Sequence, residues 1–167
     1  MVRAALSSLG SAALLFAAAV SLAATPAPPV SGAAVLKRLN LVRLSGATCP
    51  GVGVRPAVGL LHASPLHAAT AFLQSKYMAA SGEVGHLGPD GSTPPQRAAG
   101  LGLRAVGVTE IVYLGHSPGL ESALGWWLHS PVHCKIITDP RYSVAGGSVV
   151  QGKQGTAYVV VLSSGAK

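Results

Sequence analysis

A run from Ala12 to Ala24, built almost wholly of Ala, Leu, Val and Phe, limits what this chain can fold. Arg3 precedes it, and Pro26, Pro28 and Pro29 stop it. A charged start, a short apolar stretch and then small residues have the form of a secretory signal, which is removed before the mature protein folds. Cleavage is expected after Ala23, Ala24 or Ala27. The alternative, an uncleaved anchor, wants about 20 apolar residues, and Ser7, Ser8 and Ser11 shorten the run. No cysteine stands near the cleavage region, which argues against a lipid-anchored form. The chain therefore divides into a signal peptide over 1–24, a Pro-rich linker over 25–32 and one domain over 33–164. Roughly 140 residues remain, enough for a single core. The expected location is secreted or periplasmic, with no membrane span once the signal is cleaved.

Export changes the meaning of the two cysteines, Cys49 and Cys134. Outside the cytoplasm an even count favours a bridge over two free thiols. They stand 85 positions apart, and the loop-entropy argument gives such a bridge about 4 kcal/mol as an upper figure. The formal net charge is +7, but the basic residues are scattered and no aromatic residues interleave with them. That pattern excludes a nucleic-acid footprint and leaves a weak attraction to anionic envelope surfaces.

Helices come first along the mature chain. The text AAVLKRLNLVRL predicts a helix over 33–44, with Val35, Leu36, Leu39, Val42 and Leu44 inward and Lys37, Arg38 and Arg43 opposite. Residues 46–59 read as loop. Ser64-Pro65 is an N-cap followed by Pro at the first helical position, and a helix over 65–80 follows with Leu66, Ala69, Leu73 and Tyr77 inward. After an irregular stretch, Pro94 to Gly100 reads as a short helix and Leu103 to Leu114 as one or two strands. Ser117-Pro118 repeats the helix-start signal for a helix to His129, and Pro131 opens another turn to Ile137. Residues 143–150 and 156–162 read as strands joined by a Gly-rich hairpin. This order predicts an α+β fold, an antiparallel sheet covered by helices.

Three residues stand out as chemistry. His86 lies in HLGPDGSTPPQR, Glu110 lies among apolar residues in GVTEIVYLG, and His133 lies in WWLHSPVHCKIITDPRY. Each alone has a bland explanation as a surface loop residue, a strand-edge acid or a side chain packed beside a disulfide. Together with Leu39-Asn40-x-x-Arg43, the Asp90-Gly91-Ser92-Thr93-Pro94 word, Arg97, Trp127, Ser130-Pro131, Pro140-Arg141-Tyr142 and Gly146 they form an ordered set. That set resembles the bacterial secreted branch of the CAP superfamily, which includes cysteine-rich secretory proteins, antigen 5 and pathogenesis-related proteins. The resemblance spans about residues 34 to 163, and its Trp127-to-Tyr142 segment is the most specific part.

The resemblance implies a three-layer α-β-α sandwich with a central, mainly antiparallel sheet, and a cleft lined by His86, Glu110 and His133. Two imidazoles and a carboxylate are plausible ligands for zinc or another divalent cation. It implies structural roles for Asn40, Arg43 and Tyr142, a core aromatic at Trp127, and a Cys49–Cys134 bridge like that of a subgroup with "HC" at the second histidine. Asp90 and Arg97 read as fixing the loop around His86, and Trp126 reads as partly exposed. The family's Gly-Glu-Asn word is here Thr109-Glu110-Ile111, and Ser130 stands where many relatives carry a second acid. No catalytic residue is assigned. The leading expectation is a monomeric binding module for a small molecule, lipid, metal or envelope protein. The alternatives are an envelope hydrolase, metal-assisted or dependent on Ser130 and His133, and a domain with an unused cleft. Ser-Pro at a helix start is more simply a cap.

Overall fold

The computed structural model describes residues 30–116 and 119–164. The signal over 1–24, the first linker residues and the Ser117-Pro118 helix start lie outside the described residues.

The elements run α1 (Gly32–Ser45), β1 (Ala47–Cys49), β2 (Gly53–Arg55), β3 (His62–Ala63), α2 (Pro65–Ser81), α3 (Pro94–Gly100), β4 (Thr109–Gly115), α4 (Leu120–His129), α5 (Pro131–Ile137), β5 (Val144–Gly152) and β6 (Gly155–Ser163). Local chemistry sets several of these boundaries. Ser31 and Ser64 accept from the backbone N–H three residues on, capping α1 and α2, and Pro65 pre-sets the first turn of α2. Gly82 closes α2 in the left-handed conformation, its N–H bonding to the Met78 carbonyl. Gln96 Oε1 accepts from the Thr93 N–H at the start of α3.

The main sheet has the order β3-β5-β6-β4. β5 and β4 both pair antiparallel with β6, and the two-residue β3 pairs parallel with β5. β6 is central and buried on both faces. Tyr158, Val160 and Leu162 face a core with α1, α4 and α5, whereas Ala157, Val159 and Val161 face a core with α2. The result is a three-layer α+β sandwich. β4 is an edge strand, and α4 covers that edge: Trp127, fully buried, donates from Nε1 to the Val112 carbonyl at 2.8 Å.

Helix α2 turns the other way from the sequence expectation. Leu66 and Leu73 are exposed, and the buried stripe is His67, Thr70, Ala71, Gln74, Ser75, Met78 and Ala79. The cause lies in β5. A Cβ on Gly146 would collide with the backbone of Ala68, and one on Gly152 with the Ala79 carbonyl. The helix lies with its backbone on a glycine-bearing strand, so only small or slender side chains fit beneath it. Ser75 and Ser148 meet there, Oγ to Oγ at 2.8 Å.

Helix α1 also differs at its end. Leu44 is exposed and Arg43 is buried, because Arg43 stands four and seven positions after Leu39 and Leu36 and so falls on their stripe. Its guanidinium donates to four carbonyls: Gly59 at 2.7 Å, Ile137 at 2.7 Å, Asp139 at 3.0 Å and Tyr142 at 2.8 Å. Asn40 exchanges two hydrogen bonds with the Leu61 backbone. The stretch read as loop holds a small antiparallel hairpin, β1 with β2. The Cys49–Cys134 disulfide, with Cα atoms 5.6 Å apart, ties that hairpin to α5. The strand region around residues 103–114 resolves to one strand from Thr109, since Gly102 and Gly107 take positive φ ahead of it.

Replacing Arg43 by Met strands several buried carbonyls. Arg43→Met should lower stability by about 3 kcal/mol or more, and Arg43→Lys should recover only part, since one ammonium cannot reproduce the fork. Guanidinium denaturation reads this; a loss under about 1 kcal/mol for Arg43→Met would contradict a hub of charge-assisted bonds.

Candidate cleft at the β4 edge

The candidate site starts from one buried acid. Glu110 lies on β4 on the same side of the strand as Val112, beneath α3 and the loop that precedes it, and its residue exposure is 3%. A buried carboxylate is costly unless paired and hydrogen-bonded. Both oxygens are taken. Oε2 accepts from Arg97 Nη2 at 2.9 Å, and Oε1 lies 3.1 Å from His86 Nδ1.

Arg97 also holds the loop that carries His86. Its Nη1 donates to the carbonyls of His86 and Ser92. From α2, Gln74 Nε2 donates to the carbonyls of Gly85 at 2.7 Å and Leu87 at 3.2 Å. Within the loop, Asp90 Oδ1 accepts from the Ser92 N–H at 3.0 Å. Hydrogen bonds from Ser92, with a smaller contribution from Arg97, hold the Asp90 carboxyl below the usual carboxylate range. So pinned, His86 keeps about half of its side chain in solvent at 49%.

His133 stands on α5, across the β4 edge. Its ring lies 4.9 Å from the ring of Trp126, which is 48% exposed. Trp126 is 6.1 Å from Tyr113, and Tyr113 is 6.0 Å from Tyr158, so an aromatic series leads from the core to the surface. His133 Nδ1 is buried without a hydrogen-bond partner. Burial pushes the His133 pKa down, and the nearby His86 lowers it further. Ser130 is half-buried at the N-cap of α5, and its side chain makes no capping bond. The unpaired Nδ1 shows that no Ser130–His133 dyad forms through that nitrogen.

The structure thus joins His86, Glu110 and Arg97 and brings His133 within electrostatic reach of His86. Among the described residues no three His, Cys, Asp or Glu side chains converge closely enough to hold a metal ion. Arg97 occupies one Glu110 oxygen, and the expected His86–Glu110–His133 donor set is not gathered around one point among the described residues. Sequence reasoning missed the Arg97–Glu110 pair and the role of Gln74. The signal for the pair was present: an acid flanked by apolar residues needs a cation. Gln74 gave no such signal. Asn40, Arg43 and Tyr142 lie away from the cleft, in the network around α1.

These features define a disulfide-bridged α-β-α sandwich with a polar side-chain cluster beside an edge strand. The chain belongs to the cysteine-rich secretory protein family, CAP, whose profile matches residues 38–163. It is similar in structure to an extracellular protein containing an SCP domain from Bacillus anthracis, at 23% identity and TM-score 0.55, covering 64% of this chain and 34% of that one. An outer surface protein from Borrelia burgdorferi aligns at 20% identity and TM-score 0.59, over 66% of this chain and 80% of that one. A cysteine-rich secretory protein from Staphylococcus aureus aligns at 15% identity and TM-score 0.58, over 80% and 38%. The chain therefore spans about a third of the length of the first and third of these. No curated protein sequence matches it.

Two predictions test the electrostatics. Arg97→Met leaves Glu110 buried without its cation and should cost about 3 kcal/mol, whereas the double variant with Glu110→Gln should lose clearly less. Equal losses in urea denaturation would show that the pair is not coupled. The second concerns acid. His67, buried in α2 with Nε2 2.8 Å from Ser163 Oγ, also has its pKa lowered by burial. For a depressed histidine the unfolded chain binds more protons, so stability is held above the ordinary value of about 6.5 and is lost as pH falls below it. The guanidinium midpoint should drop between pH 7.5 and pH 5, and His67→Gln should flatten that slope; an unchanged slope would remove His67 from the account.

Proposed function

We propose that this CAP domain is an exported binding module that takes a small planar ligand in the hollow between His86 and the Trp126–His133 pair. What carries the reading is that Glu110 has both oxygens engaged, one on a guanidinium. A carboxylate held between a guanidinium and an imidazole favours a role in positioning His86 over one in chemistry. What remains for a ligand is an exposed indole, a neutral imidazole packed at a tilt against it, and the solvent-facing part of His86. An aromatic face beside a few polar groups suits a small, flat, uncharged molecule. Export is supported by the disulfide, which persists outside a reducing compartment, and by the extracellular and outer-surface descriptions of the structural relatives. Among the described residues no helix is long and apolar enough to cross a membrane.

The test follows the Trp126 indole N–H resonance in 15N-labelled protein during titration with benzamide, phenol and indole. At least one should shift it saturably, and the shift should vanish in His133→Ala and in His86→Ala while EDTA leaves it unchanged. No saturable shift with any of the three sinks the reading. Stoichiometric zinc that His86→Ala removes would replace it with a metal centre, and covalent labelling of Ser130 by a fluorophosphonate would replace it with a hydrolase.

A further inference from the structure

A second hollow lies on the other side of Arg97. Because the inward face of α2 is taken by His67, Ala71, Gln74, Ser75 and Met78, Leu73 and Tyr77 are turned away from the sheet, and the loop with Pro89 and Asp90 stands opposite them. Between them is an open cavity of about 450 Å3, whose lining also includes Lys76 and Arg97. That volume lies in the range of small-molecule sites.

The polar groups limit what can enter. Arg97 is 7% exposed, and its Nη1 and Nη2 are committed to the His86 and Ser92 carbonyls and to Glu110. Its Nε is buried with no hydrogen-bond partner. That donor is closed off from the cavity, which leaves Lys76 and Asp90 as the charged groups a ligand meets. Lys76 supplies a free cation, since none of the ion pairs among the described residues includes it. Asp90 presents an ionised carboxylate to the same space.

We propose that this cavity binds a free amino acid or short peptide with an apolar side chain, in its zwitterionic form. The ligand carboxylate meets Lys76, its ammonium meets Asp90, and its side chain packs on Leu73, Tyr77 and Pro89. A simple anion would face the Asp90 carboxylate. A simple cation would face Lys76. A purely apolar ligand would pair with neither charge. Only a molecule carrying both charges beside an apolar group satisfies every wall. The site shares Arg97 with the β4 hollow and none of that hollow's aromatic groups.

The experiment is an amide-resolved NMR titration of the 15N-labelled protein. Leucyl-leucine with free termini should shift the Leu73, Tyr77 and Ser92 amides saturably and leave the Trp126 indole N–H in place. N-acetylation or C-amidation of the peptide should each weaken binding by about tenfold, the value of one charge-assisted hydrogen bond. Decanoate should bind more weakly still. Lys76→Met and Asp90→Asn should each weaken the free peptide to a similar degree; Asn keeps the oxygen that accepts from Ser92. Ala80→Trp, at the cavity wall, should abolish the shifts while the rest of the spectrum stays folded. The proposal is overturned if leucyl-leucine gives no saturable shift, if the acetylated peptide or decanoate binds as well as the free one, or if Ala80→Trp leaves binding intact. Any of these results leaves the reading of the Trp126 hollow standing, since its readout is a different resonance.

Discussion

The two glycines in the middle of β5 set the spacing of the whole sandwich. Gly146 faces α2 and Gly147 faces α1, and each admits a helix backbone to within contact of the strand; a Cβ on Gly147 would stand 2.7 Å from the Gly32 carbonyl oxygen. Helices on both faces of one strand at backbone distance leave no room there for large apolar side chains. The apolar burial that holds the layers together moves next door, to β6. That strand is buried on both faces and reads as a near-continuous apolar run from Ala157 to Leu162. At roughly 1.5–3 kcal/mol for each fully buried large aliphatic or aromatic side chain, β6 is the main source of hydrophobic stabilisation. β5 fixes the geometry.

That division explains which parts of the fold were legible. Punctuation was read well because it is local: Ser64-Pro65, Pro94, Pro131 and the Gly152–Gly155 hairpin act through φ values and orphan N–H groups that need no tertiary partner. The facing of α2 was not legible from hydropathy. Its most apolar residues, Leu66, Phe72 and Leu73, are the exposed ones, because the constraint on the buried face is space, and the space is set by a strand some eighty residues further along the chain. Arg43 shows the same override. Helical spacing places it inward and its charge argues outward, and the four carbonyls that converge on it from residue 59 and from residues 137–142 decide the matter. Those carbonyls are backbone groups in loops and at the end of α5, and backbone groups leave no mark in the sequence.

The cleft was legible as an order of residues and not as an arrangement. His86, Glu110 and His133 could be picked out as distant members of one set, but nothing in their spacing revealed that Glu110 would be neutralised from the α3 side. Arg97 sits four residues after Thr93 in a seven-residue helix, and its partner lies on a strand thirteen positions on. Once the pair forms, the rest follows electrostatically. A buried acid with its cation is a neutral structural unit, His86 is held by backbone bonds from Arg97 and Gln74, and His133, desolvated and next to another imidazole, stays uncharged. The acid of the cluster is thereby committed to holding His86 in place, which suits recognition better than proton transfer.

The departure from the family's Gly-Glu-Asn word bears on the same point. Adjacent residues on a strand face opposite sides of the sheet. Glu110 faces the α3 side, whereas Ile111 is fully buried in the core formed with α1, α4 and α5. A polar residue at position 111 would therefore act on that core and on the backbone beside it, away from the Glu110 carboxylate. Replacing it with isoleucine adds apolar burial next to Trp127 and Tyr158 and leaves the Arg97–Glu110–His86 cluster intact. The change that looks most damaging in the sequence is in this fold a matter of core packing, and the residues that shape the hollow are held by hydrogen bonds to which Ile111 contributes nothing.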